Sequence, residues 1–102
     1  DYKKYADFKR HLDWNTFFDW SNQNKFRLIL FTTKSNKNFI NYSFKKNDIL
    51  LFGRESAGVP KIVHNSVTER LIIPMKKNMR SINVSSSVAI AVGEAFRQLK
   101  LF

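Results

Sequence analysis

The sequence predicts an α/β domain, with a mostly parallel sheet flanked by helices. Three observations lead there. Apolar runs of strand length at residues 26–32, 48–52 and 70–73 each stop at a polar or glycine-containing turn. Segments with apolar residues three and four apart lie before, between and after those runs, and strands that alternate with helices assemble parallel sheets. The run at 26–32, Phe-Arg-Leu-Ile-Leu-Phe-Thr, lacks an apolar/polar alternation, which is the mark of a strand buried on both faces.

Taken in order, Tyr5 to Arg10 fits a short strand. Asp13 is a suitable N-cap for a helix over 14–22 that carries Trp14, Phe17 and Phe18 on one face. The strand at 26–32 follows, then a polar loop from Ser35 to Asn38. Residues 39–44 read as irregular or a short strand, and 48–52 as the second long strand. Pro60, favoured in the first turn of a helix, starts a short helix reaching about Asn65. The strand at 70–73 comes next. Ser85 or Ser86 would cap a last helix whose Val88, Val92, Ala95, Phe96 and Leu99 repeat at three and four. Gly93 inside that helix costs about 1 kcal/mol relative to Ala, so close packing on another backbone is the expected reason for it.

At 102 residues the chain is one domain, small enough that oligomerisation would help its stability. With 43% apolar and 15% aromatic residues, including ten Phe, it reads as folded and not disordered. No apolar run has bilayer-spanning length, no signal region follows the charged start, and cysteine is absent, which excludes disulfides and thiolate metal sites. A soluble, cytoplasmic protein without a metal is expected. Eighteen Lys and Arg against eight Asp and Glu give a formal charge of +10, which points to a polyanion, first of all nucleic acid. The basic residues cluster at Lys3-Lys4, Lys9-Arg10, Lys34 to Lys37, Lys45-Lys46 and Lys76 to Arg80.

Two segments carry chemistry. Residues 48–60, Asp-Ile-Leu-Leu-Phe-Gly-Arg-Glu-Ser-Ala-Gly-Val-Pro, run an apolar strand into a glycine-bracketed turn. Leu71-Ile72-Ile73-Pro74-Met75 repeats the design, and Arg80 to Val88 forms a polar loop opening into the last helix. Loops at the carboxyl ends of neighbouring buried strands are where α/β sheets bind ligands. The glycines alone fit a ligand-free strand-to-helix turn equally well. His11 and His64 invite a general-base reading because imidazole as a group titrates near neutrality, but neither lies in these loops.

In order, spacing and flanks, these segments resemble motifs 2 and 3 of the SpoU (SPOUT-class) RNA 2'-O-ribose methyltransferases. The Phe-Gly-x-Glu turn, the Ile-Pro-Met strand end, the Arg-Ser-x-Asn-x-Ser-x-Ser-Val loop and the terminal Glu-Ala-x-Arg-Gln-Leu look most like the branch acting on cytidine or uridine 34 of tRNA. Lys9-Arg10-His11 and Thr32-Thr33-Lys34 extend the resemblance over most of the chain. It implies S-adenosylmethionine as methyl donor, the ribose 2'-hydroxyl of the tRNA wobble nucleotide as acceptor, a homodimer, and a deep C-terminal trefoil knot. The other readings are a SpoU enzyme for another tRNA or rRNA site, and a non-catalytic basic RNA-binding module of the same fold.

Residue by residue, the resemblance implies cofactor contact at Phe31, Gly53, Ile73 and Ser81, and catalytic roles for Asn83, Ser85 and Ser86. Glu55 would organise its loop. Basic side chains at Lys9, Arg10, Arg54 and Arg80 are the expected RNA contacts, although Arg54 stands where the family commonly has Pro. The family's motif 1, with its Arg near the reacting hydroxyl, would precede Asp1, so the chain is expected to be the C-terminal two-thirds of a longer protein and inactive by itself.

Overall fold

The computed structural model describes residues 13–53, 59–74 and 84–101. Asp13 is extended (φ −76°, ψ 165°) and its Oδ1 accepts the Thr16 amide at 2.8 Å, which starts helix α1 (Trp14–Gln23) as the sequence predicts. The helix ends with Lys25 in the left-handed region (φ 60°), where the Phe26 amide reaches back to the Ser21 carbonyl. That turn feeds β1 (Arg27–Phe31). A single 3-10 turn, Phe39–Asn41, occupies the stretch that reads as irregular or strand-like, and β2 (Asp48–Phe52) follows with the predicted bounds. After α2 (Lys61–Ser66), β3 covers Glu69–Leu71, and α3 (Val84–Leu99) closes the described chain.

The sheet is parallel, in the order β2-β1-β3. This corrects one expectation: the strands that lead into the two motif segments are not neighbours, because β1 lies between them. Local pattern carries no strand order, and the chain crosses over β1 on its way from β2 to β3. Leu28, Ile29, Leu30 and Phe31 are all buried, as the unbroken apolar run predicts. Each such side chain is worth about 2 kcal/mol relative to exposure.

The two faces of β1 belong to different layers. Leu28 and Leu30 pack with Val67 against Trp14, Phe17, Phe18 and Val63, so α1 and α2 cover one face. Ile29 and Phe31 join Phe39, Phe44, Leu71, Ala91 and Ala95 on the other, under α3 and the 3-10 segment. Small Ala91 and Ala95, not the larger apolar residues, form the inner seam of α3. Val88 and Phe96, expected in the core, are 36% and 40% exposed. Gly93 departs from expectation too: a Cβ added there would meet nothing within 4 Å, so no backbone among the described residues packs on it. Because α3 starts at Val84, Ser85 and Ser86 lie within its first turn, past the N-cap position.

Candidate active site

Parallel register brings the strand ends to one level. Phe31 pairs with Phe52 on one side and Leu71 on the other, so Thr32, Gly53 and Ile72 begin the loops from a common edge. With strands about 4.8 Å apart, the starts of the β2 and β3 loops stand about 10 Å apart across the end of β1. β1 is also the point from which the chain leaves first to one side and later arrives on the other, the position where open α/β sheets form a crevice.

Beneath that edge the floor is aromatic. The Phe31 ring stacks on Phe52 at 5.0 Å and on Phe44 at 6.3 Å, and meets Phe39 edge-on. Phe31 is therefore held in the core, and only its backbone is placed to meet a ligand. Gly53 and Ile73 are half-buried at the ends of the flanking strands, with the Ile73 side chain against the same cluster.

One wall of the edge is a segment that the motifs do not single out. After β1 the chain turns alongside β3: Thr32 donates its amide to Leu71, Ile72 to Lys37, and Phe39 to Ile72, at 2.9, 2.8 and 3.0 Å. The Ser35 hydroxyl donates to the Arg70 carbonyl at 2.8 Å, and the Lys37 ammonium pairs with Glu69 at 2.9 Å. The Arg70 amide, opposed by desolvation and aided by Lys37, holds the Glu69 carboxyl below its ordinary value. A Ser/Thr/Asn-rich tract directly after a buried strand was the available signal for this wall.

Helix α3 runs against the strands. Gln98 near its end donates to the Tyr42 carbonyl and accepts the Phe44 amide, at 2.8 and 2.9 Å, just ahead of β2. Its 16 residues span about 24 Å, longer than a five-residue strand of about 17 Å, so its first turn reaches the carboxyl edge of the sheet. Ser85 and Ser86 are exposed on that first turn, which carries no acidic residue. Unsatisfied amides at a helix start favour a negative or polar group. Ser81, Asn83, Arg80, Arg54, Glu55, Lys9, Arg10 and His11 lie outside the described residues. His64 lies on α2, where its carbonyl accepts Arg70 Nε at 2.6 Å.

An apolar floor, backbone edges at three strand ends and a glycine that leaves room fit an adenosine moiety, and a helix start fits a carboxylate. Among the described residues no three His, Asp or Glu side chains converge to hold a metal, and no helix is long and apolar enough to cross a membrane.

The model of the SpoU rRNA Methylase family matches residues 1–93. The chain belongs to that family. Over 73 residues it is 48% identical to a tRNA (cytidine(34)-2'-O)-methyltransferase of Beijerinckia indica, covering 72% of this chain and 46% of the relative. A Burkholderia cenocepacia protein of the same name is 35% identical over 100 residues, 96% of this chain and 64% of that one. A solved structure concerned with the 2-OH methylation of C/U34 on tRNA superposes with a TM-score of 0.67 at 36% identity, covering 74% of this chain and 49% of its own. The SpoU methyltransferase AviRb from Streptomyces viridochromogenes shares the fold, with a TM-score of 0.78 at 21% identity over 84% of this chain and 35% of its own. This chain spans about half the length of the first of these relatives.

Proposed function

We propose that the protein transfers a methyl group from S-adenosylmethionine to the ribose 2'-hydroxyl of nucleotide 34 in tRNA. The observation that carries this reading is the alignment of three strand ends on one edge of a SpoU-family sheet, together with 48% identity to a relative that bears that activity in its name. Bound S-adenosylmethionine supplies a methyl on a sulfonium, a leaving group that needs no protein acid. The protein's task is then positioning, exclusion of water and help with loss of the hydroxyl proton.

In this reading the backbone at Phe31, Gly53 and Ile73, with Ser81, holds the nucleoside over the aromatic floor. Ser85 and Ser86, with Asn83, orient the ribose or the methionine moiety at the start of α3. Lys9, Arg10, Arg54 and Arg80 neutralise RNA phosphates, a term that weakens as salt rises. The C-terminal segment forms a trefoil knot, and the enzyme works in the cytoplasm, where tRNA is modified. It works as a homodimer: Ile90 is 40% exposed on α3, and Gly93 beside it has open space where a second helix can approach closely.

Mapping of ribose methylation on tRNA incubated with the full-length protein and S-adenosylmethionine tests the reading. A new 2'-O-methyl at position 34 is expected. Methylation at another tRNA or rRNA position would replace the substrate, and tRNA binding without transfer would leave a non-catalytic RNA-binding module.

A further inference from the structure

The edge of the sheet opposite the strand-end crevice carries a rim of lysines that none of the roles above uses. Helix α1 and helix α3 cover opposite faces of the sheet, yet both end at this amino edge, and each ends with a lysine in the left-handed conformation: Lys25 (φ 60°) and Lys100 (φ 58°). The endings have the same hydrogen-bond pattern. Phe26 reaches back to Ser21 and Leu101 to Phe96, both at 2.9 Å, while Lys25 bonds Asn22 and Lys100 bonds Arg97. Between them, the turn ahead of β2 presents Lys45 and Lys46. All four lysines are exposed.

This rim is built, not merely basic. Asn47 Nδ2 donates to the Lys25 carbonyl at 2.9 Å and the Arg27 amide donates to Asn47, which fasten the Lys45-Lys46 turn to the end of α1. Gln98 fastens the same segment to the end of α3. Two of the carboxylates near this rim are already neutralised, Asp48 by a two-pronged pair with Arg27 and Glu94 by Arg97, and Asp19, a turn before the end of α1, leaves the four lysines in excess. None of the four lysines has a carboxylate partner among the described residues. Two helix C-termini attract lysines for their own sake, but that accounts for Lys25 and Lys100 and not for Lys45 and Lys46.

We propose that this amino-edge rim of Lys25, Lys45, Lys46 and Lys100 is a second phosphate-binding surface, which grips the backbone of the substrate RNA away from the target nucleotide. The inference rests on the RNA-methyltransferase reading. About 17 Å of strand separates the two edges, a distance that about five nucleotide steps of 3.4 Å can bridge, so one RNA can occupy both. The surface contributes affinity without sequence preference.

The test is the salt dependence of tRNA-transcript binding to the full-length protein between 50 and 200 mM salt. The comparison is with a variant carrying Lys25→Asn, Lys45→Gln, Lys46→Gln and Lys100→Asn; asparagine tolerates the left-handed positions. Each lost phosphate contact lowers the log–log slope by about 0.9, so a drop of about 2 to 4 is expected, with S-adenosylmethionine binding unchanged. The double variant Lys45→Gln/Lys46→Gln, confined to an exposed turn, should lose about half of that. A steep wild-type slope that both variants retain overturns the rim and leaves the methyltransferase reading standing. A flat wild-type slope overturns RNA binding by either edge.

Discussion

The two edges of the same three-stranded sheet are built in opposite ways. At the amino edge side chains staple the elements together. Arg27 grips Asp48 through two bonds and donates to the Ser43 carbonyl at 3.1 Å, its guanidinium stands 5.2 Å from the Tyr42 ring, and Gln98 ties α3 to the same segment. At the carboxyl edge the β1, β2 and β3 ends offer backbone, a glycine and the floor of stacked Phe rings. The side-chain cross-links Ser35–Arg70 and Lys37–Glu69 lie in the wall from Thr32 to Phe39. The difference teaches where stability is spent: over the described residues, polar side-chain bonds close the amino edge, whereas the three aligned strand ends offer mainly backbone.

The largest separation between the edges should come from Gly53→Val. A branched side chain at the end of β2 fills the crevice, so methyl-transfer kcat/KM should fall at least about 100-fold, more than 2.7 kcal/mol of transition-state stabilisation, while the melting temperature stays within a few degrees. An equal loss of stability would mean that Gly53 serves the fold. Next in size is Asp48→Ala at the stapled edge. It leaves Arg27 half-buried without its partner and removes the acceptor of the Lys45 amide, for an expected loss of about 2 to 4 kcal/mol in denaturant unfolding. Affinity for S-adenosylmethionine should hold.

Gln98→Ala should cost about 1 to 2 kcal/mol, because it leaves the Phe44 amide and Tyr42 carbonyl without that partner. The smallest effect is a pH dependence. Arg97, then Gln98, hold the Glu94 carboxyl down to about 2 from an ordinary 4.5. A depressed carboxylate stabilises the fold above its unfolded value, and that contribution is lost as pH falls from about 4.5 towards 2. Arg97 is largely exposed although the Glu94 side chain is mostly covered, so solvent screens the pair and the slope should be shallow, and shallower still in Glu94→Gln when melting temperature is followed against pH.

Much of this arrangement was legible residue by residue. The unbroken apolar run marked β1 as the doubly buried strand, and Asp13 marked the start of α1. The bounds of β2 followed from an apolar stretch between Asp48 and a glycine. What stayed hidden needed tertiary geometry. Placement of β1 between the motif strands depends on a crossover that no periodicity encodes. The inner seam of α3 is made of Ala91 and Ala95 because small residues let a helix lie close to a sheet; the three-and-four spacing picked out Ala95 but missed Ala91 and included the exposed Val88 and Phe96. Gln98 sat in a motif-like Glu-Ala-x-Arg-Gln-Leu ending, but its role as a clamp on residues 42–44 appears only when folding brings together positions 54 apart in the sequence.

For the candidate site, the family resemblance supplied the residues and the register supplied their proximity. Gly53 and Ile73 flank the end of Phe31, and Ser85 and Ser86 lie on the first turn of α3. The wall from Thr32 to Phe39 went unassigned because its bonds are mostly main-chain bonds to β3, which no side-chain pattern announces.

Calorimetric titration of S-adenosylmethionine into the full-length protein and its Gly53→Val variant addresses the crevice itself. Saturable binding to the parent protein, weakened at least tenfold by the substitution while Asp48→Ala binds as before, is the expected outcome. Binding that is absent from the parent, or that survives Gly53→Val intact, would show that the aligned strand ends do not hold the methyl donor.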